Sequence, residues 1–153
     1  MGSGQWPSGA GSPGCRQGEQ RRAAPRAGQA VVIVDVPVFA DIRGRHGPVA
    51  AEQVTQMVAD NLRRRLRGAD RLALLREDEF LAVIADADDA ALESVVPRLR
   101  AAVQGTRVAL AEDEWVLGCT LGAAARASGS SALDALVRAA DIALYRARLG
   151  TIV

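Results

Sequence analysis

The stretch Arg71-Leu72-Ala73-Leu74-Leu75-Arg76-Glu77-Asp78-Glu79-Phe80-Leu81-Ala82-Val83-Ile84 sets two short apolar runs, 71–75 and 80–84, on either side of a charged tetrad. That pattern reads as a β-hairpin with a polar tip. Upstream, Val31-Val32-Ile33-Val34-Asp35-Val36 is continuous and β-branched, as expected of a central strand buried on both faces, and it carries one carboxylate near its end. Between strand and hairpin, Pro48 can occupy the first turn of a helix that places Val54, Met57, Val58, Leu62 and Leu66 on one face and stops near Gly68. After the hairpin, Asp86, Asp88 and Asp89 supply cap and first-turn charges for a helix through Leu92, Val96, Leu99 and Val103, ending at Gly105, with Pro97 inside it.

Arg107 to Leu110 and Trp115 to Ala125 read as two further strands joined by a tight acidic turn at Glu112-Asp113. Ser131 to Asp134 resembles a capping box with Asp in place of Glu. It opens a last helix with the stripe Leu133, Leu136, Val137, Ala140, Leu144 and Ala147, which Gly150 should stop. The order β-α-β-β-α-β-β-α contains, in its first six elements, the split βαβ of ferredoxin-like folds. The fold class expected is therefore α+β, a βαββαβ core with an additional strand and a C-terminal helix, its central and mostly antiparallel sheet flanked by helices. In such a sheet the first strand runs against the third, so its C-terminal end meets the hairpin tip, and Asp35 and Asp78 converge. Two carboxylates there make a hard-oxygen site suited to Mg²⁺ with a phosphate; acidic tips also serve solubility, and spacing alone does not choose between the two.

At 153 residues, with 49% hydrophobic and 24% charged residues, one soluble domain is expected, and disorder throughout or a fibrous repeat is excluded. Residues 1–28 hold Gly, Ser, Pro and Arg with little apolar beyond Trp6, a composition read as a disordered tail with a positive bias from Arg16, Arg21, Arg22 and Arg26. Residues 29–153 form the domain. No apolar run suffices for a bilayer span or a secretory signal, which points to the cytoplasm. Cys15 and Cys119 make no disulfide framework and read as reduced and inert. A net charge of +1 and 3% aromatics argue against nucleic acid as ligand, leaving a small molecule or a protein partner. All 19 basic residues are Arg, so a P-loop lysine and Schiff-base chemistry are excluded, and any phosphate must meet guanidinium or backbone N–H. His46, in Arg-Gly-Arg-His-Gly, reads as a solvated loop residue.

Arg76-Glu77-Asp78-Glu79-Phe80 resembles the Gly-Gly-Asp-Glu-Phe hairpin of the GGDEF family of diguanylate cyclases, without its two glycines. Asp35, followed four residues later by Phe39, resembles the family's first-strand Asp-x-Asp-x-Phe, and Arg67-Gly68-Ala69-Asp70 its Arg-x-x-Asp element. Thr120-Leu121-Gly122 stands where the family has Ser-Ile-Gly, and Ala140-Asp141-Ile142-Ala143-Leu144-Tyr145-Arg146-Ala147-Arg148 resembles Ala-Asp-x-Ala-Leu-Tyr-x-Ala-Lys. The resemblance covers residues 30–153. It implies a relative of nucleotide cyclases and polymerase palms in which each subunit binds GTP with Mg²⁺ and two facing subunits make cyclic di-GMP. It implies Asp35 and Asp78 as metal ligands, Asp78 and Glu79 as the catalytic acids of the signature, Arg148 in place of a phosphate-binding lysine, and Arg67 with Asp70 as an inhibitory site for cyclic di-GMP. The alternative for that last pair is structural, with Arg67 ending an Arg-rich helix and Asp70 starting the next strand.

The departures cluster where the nucleotide would lie. Pro37 replaces the second first-strand acid and Ala40 the lysine after the phenylalanine; Arg43 and Glu52 replace the Asn and Asp that contact guanine. Arg offers donors only, where Asn offers a donor and an acceptor, so guanine's N–H groups lose a partner. Arg76 and Glu77 replace glycines that allow φ > 0 and close approach of backbone to phosphate, although Arg76 keeps a cation there. The family's final Gly-Arg-Asn reads Gly150-Thr151-Ile152, one residue early. The expectation is a catalytically impaired domain that responds to GTP or cyclic di-GMP or binds a signalling partner. The alternatives are an active cyclase and a dimerising scaffold without nucleotide.

Overall fold

The computed structural model describes residues 28–126 and 133–152. The expected tail, except Gly28, and the opening Ser131 and Ala132 of the capping box lie outside the described residues. The elements are β1 (Gln29–Asp35), α1 (Val38–Arg63), β2 (Arg71–Arg76), β3 (Glu79–Ala85), α2 (Asp89–Ala101), β4 (Arg107–Leu110), β5 (Asp113–Val116), β6 (Thr120–Arg126) and α3 (Leu133–Ile152). Four strands form one sheet in the order β2-β3-β1-β6, and β4 with β5 forms a separate two-stranded ribbon. Each neighbouring pair in the main sheet is antiparallel.

β1 is the central strand that its composition implies, because side chains alternate across a strand and every residue of 30–35 is buried. Ala30, Val32 and Val34 belong to the larger core, with Phe39, Val54, Val58 and Leu62 of α1 and Val95 and Leu99 of α2. Val31 and Ile33 face the other way, onto Leu136, Ala140 and Leu144 of α3. That second contact needs Gly122: a Cβ there would stand 2.4 Å from the Ala140 carbonyl oxygen and from the Leu144 amide nitrogen. The glycine of the Thr-Leu-Gly motif thus sets how closely α3 lies on β6.

Several elements depart from the sequence reading. The fourth strand of the sheet is β6, not the Arg107–Leu110 strand, which turns back on β5 outside the sheet. The single strand expected over 115–125 is broken, because Leu117 stays bonded to Thr106 and Gly105 at 2.8 Å each before the chain crosses to the main sheet. The ribbon's turn falls at Ala111-Glu112, with Ala111 at φ 54°, and not at Glu112-Asp113. α1 has a first segment from Val38 that two glycines and a proline conceal. Gly47 (φ 89°, ψ 170°) interrupts it, and Pro48, which has no N–H to lose, restarts the helix as expected. Gly150 lies inside α3 and does not stop it, since an interior glycine costs a helix only about 1 kcal/mol.

His46 is likewise not a solvated loop residue. It ends the first segment of α1 with its ring edge-on against Trp115, and its Nε2 lies 3.2 Å from the indole Nε1 and 2.9 Å from Asp113 Oδ2. Arg45 also pairs with Asp113, so the ribbon is bolted to the start of α1.

Candidate functional site

The β1–β3 register sets Asp35 directly opposite Glu79, and the Val36 amide donates to the Asp78 carbonyl at 2.8 Å, carrying the ladder past the end of the strand. The hairpin tip therefore folds over the C-terminal end of β1. Carboxylate oxygens of Asp35, Asp78 and Glu79 come within 4.8 Å of one another. Asp35 and Glu79 are each 5% exposed and are the buried charged residues of the core. The convergence of Asp35 with Asp78 is thus realised in the fold, and Glu79, read from the sequence as a catalytic acid, joins them as a third oxygen donor.

Like charges this close need a counter-ion, since an isolated buried carboxylate is strongly disfavoured. Arg148, from the last turns of α3, supplies it. Its Nε donates to Asp35 Oδ2 at 3.2 Å and its Nη2 to Glu79 Oε2 at 2.9 Å, with Nη2 also 3.1 Å from Asp35 Oδ2. Burial pushes the Asp35 carboxyl above its ordinary value, against the pull of Arg148. For Arg148, burial acts to lower the value, but the hydrogen bond to Glu79 and the charge of Asp35 hold it above the usual arginine range. Glu79 Oε1 is buried without a hydrogen-bond partner and lies 3.8 Å from Arg76 Nε. Three hard oxygen donors, one of them unsatisfied, fit a small divalent cation.

The hairpin tip shows what became of the lost glycines. Arg76 pairs with Glu79 in register, Glu77 and Asp78 make the turn, and none of these residues takes a positive φ. Glu77 reaches across to α1, where its Oε2 lies 3.0 Å from Arg43 Nη1. The two residues that replace the family's guanine-reading Asn and its second Gly are therefore paired with each other. They border a groove of about 220 Å³ lined also by Pro48, Ala51, Glu52, Thr55 and Leu74. Glu52 is exposed on its wall. Arg43, Arg76 and Arg148, the three arginines placed near the nucleotide from the sequence, each contact a carboxylate of the same site: Arg43 with Glu77, Arg76 with Glu79, Arg148 with Asp35 and Glu79. Sequence reading missed these pairings, although opposite charges at 43 and 77 were visible once the topology was assumed.

Arg67 and Asp70 lie elsewhere. Asp70 accepts from the Arg67 amide at 2.9 Å and from the Ala85 amide at 3.0 Å, stapling the turn after α1 to the end of β3. Ala85 pairs with Gln29 at the start of β1, so this element sits at the end of the sheet opposite the acids. The Asp70 carboxylate has a structural task, and the Arg67 side chain is exposed. Cys119 is half-buried, and burial pushes its thiol up to about 11, which agrees with an inert cysteine.

The family profile described as "Diguanylate cyclase, GGDEF domain" matches residues 17–151. The chain belongs to the GGDEF family. A curated relative, the diguanylate cyclase DgcP of Pseudomonas aeruginosa, is 30% identical over 118 residues, which is 77% of this chain and 17% of that protein. The diguanylate cyclase DosC of Escherichia coli is 28% identical over 119 residues, 77% of this chain and 26% of that protein. The chain thus spans about a quarter or less of these relatives' length. Among solved structures, a sensory box/GGDEF family protein from Caulobacter crescentus superposes with a TM-score of 0.70 at 28% identity, covering 81% of this chain and 80% of that one. These likenesses agree with the α+β fold and the antiparallel sheet. Among the described residues, no helix is long and apolar enough to cross a membrane.

Proposed function

We propose that this chain is a catalytically impaired GGDEF domain that serves cyclic di-GMP signalling as a nucleotide-responsive module, at home in the cytoplasm. The observation that carries the reading is the internal pairing of Arg43, Arg76 and Arg148, each of which is engaged by a carboxylate of its own site before any phosphate arrives. A triphosphate entering between the tip and α1 meets Glu77, an anion where the family has a glycine, and must separate it from Arg43. Base reading is impaired by the same pair, since Arg43 presents donors to guanine's N–H groups.

A second reading, an active cyclase, draws on the retained acids. Asp35, Asp78 and Glu79 would hold Mg²⁺, which when bound neutralises phosphate charge. Against it, two of those acids, Asp35 and Glu79, are already held by Arg148. Cyclic di-GMP, or GTP, is the ligand class proposed, with the exposed Arg67 at the far end of the sheet as the contact for phosphate or the guanine edge. Homodimerisation or a signalling protein partner would transmit the response.

Isothermal titration tests the proposal. Cyclic di-GMP binding that Arg67→Ala abolishes, together with GTP and Mg²⁺ giving no cyclic product, is the expected outcome. Cyclic dinucleotide production overturns it in favour of the cyclase, and silence towards both ligands overturns it in favour of a scaffold.

A further inference from the structure

Arg148 sits between the buried acids and solvent: its side chain is 40% exposed, and those of Asp35 and Glu79 are 6% exposed beneath it. One guanidinium touches both carboxylates, through Nε and Nη2, and is donated by a helix that packs Leu136, Ala140 and Leu144 against Val31 and Ile33 of the sheet. We propose that Arg148 is the resident counter-ion of the acid corner and competes with a divalent cation for it, so that metal enters only as the guanidinium withdraws. The inference rests on the reading of this corner as the family's cation site.

The physical argument is one of charge and shared oxygens. A doubly charged ion held among Asp35, Asp78 and Glu79 would stand within a few ångströms of a guanidinium bonded to the same carboxylates, and repulsion at that range in a part-buried site is large. The guanidinium engages Asp35 Oδ2 and Glu79 Oε2, and Glu79 Oε1 is left buried without a hydrogen bond. The corner therefore keeps a carboxylate oxygen, 3.8 Å from Arg76 Nε, that no hydrogen bond satisfies and that is free to ligate a metal. Arginine suits a standing role better than lysine, because its planar fork spans two carboxylates and a single ammonium does not. An exposed side chain on a long aliphatic stem can swing into solvent without disturbing the helix. Metal affinity is then set by the cost of that displacement, and any ligand that draws the guanidinium away raises it by the same factor.

The test titrates Mn²⁺ alone into the whole chain, in wild-type, Arg148→Gln and Arg148→Lys forms, and follows thermal unfolding with and without the ion. The expected result is weak binding to wild type and binding about tenfold tighter, or more, to Arg148→Gln. That variant's lowered Tm should recover with Mn²⁺, and Arg148→Lys should fall between. Adding Asp35→Asn to either variant should remove the gain. Equal Mn²⁺ affinity in wild type and Arg148→Lys overturns the proposal even if Arg148→Gln does not fold. Nucleotide turnover is not read, so a failure here is separate from a failure of the proposed function.

Discussion

The acid corner and the base groove flank the same hairpin tip, yet they are built differently. In the corner, Asp35 and Glu79 are buried and tied to Arg148 across an α3–sheet contact that Gly122 makes possible. In the groove, Arg43 and Glu77 meet near solvent, with 29% and 76% of their side chains exposed. The acids Asp35, Asp78 and Glu79 persist in the first region, where Arg148 stands for a lysine and Pro37 for a further acid, and the base-contacting residues are replaced in the second. Loss of one partner from a buried ion pair strands a charge and costs stability whatever its chemistry, whereas an exposed groove residue can change at little cost. Retained acids are therefore weak evidence for catalysis, and the replaced groove is the stronger evidence about function.

The contrast breaks most severely at Gly122. Gly122→Ala drives a methyl into the α3 backbone, so α3 must lift and carry Arg148 off the acids. Chemical denaturation should register a loss of about 3 kcal/mol or more, while the Arg43–Glu77 pair on the other face is spared. Arg148→Ala attacks the corner alone and leaves two buried acids unneutralised. The expected loss is about 2 kcal/mol, below the full value for a buried pair because the guanidinium is part-exposed.

In the groove, a double-mutant cycle on Arg43→Ala and Glu77→Ala should give a coupling of only about 0.5 kcal/mol or less, lost at high salt. A coupling as large as that of Arg148 with Glu79 would erase the distinction between the regions. The smallest effect concerns the bolt between the ribbon and α1. The hydrogen bond from Arg45, ahead of its charge and the contact with His46, holds the Asp113 carboxyl below its ordinary value. Its contribution is present above the ordinary Asp range and is lost as pH falls below about 4 through the lowered value. Comparing acid-unfolding curves of wild type and Asp113→Asn should show a shallower acid limb in the variant.

Legibility followed the same division. The buried strand 31–36, the hairpin 71–84 and the meeting of Asp35 with Asp78 were readable because β-branched runs and strand order dictate them. The start of α1 was hidden by Gly44, Gly47 and Pro48, since helix propensity there is poor and burial of Phe39 and Ile42 decides the matter. The split at Leu117 was unreadable because an apolar run does not announce which sheet it joins. Arg43, Arg76 and Arg148 lie near the acids and the groove, but their engagement with carboxylates depends on side-chain geometry that spacing does not encode.

The central claim is that the arginines of the site are engaged by its own carboxylates and that the chain does no cyclase chemistry. Incubating the purified chain with GTP and Mg²⁺ and separating the products chromatographically tests it most directly. The account predicts GTP unchanged, with no cyclic dinucleotide; accumulation of cyclic di-GMP over many turnovers, abolished by Asp78→Ala, would contradict it.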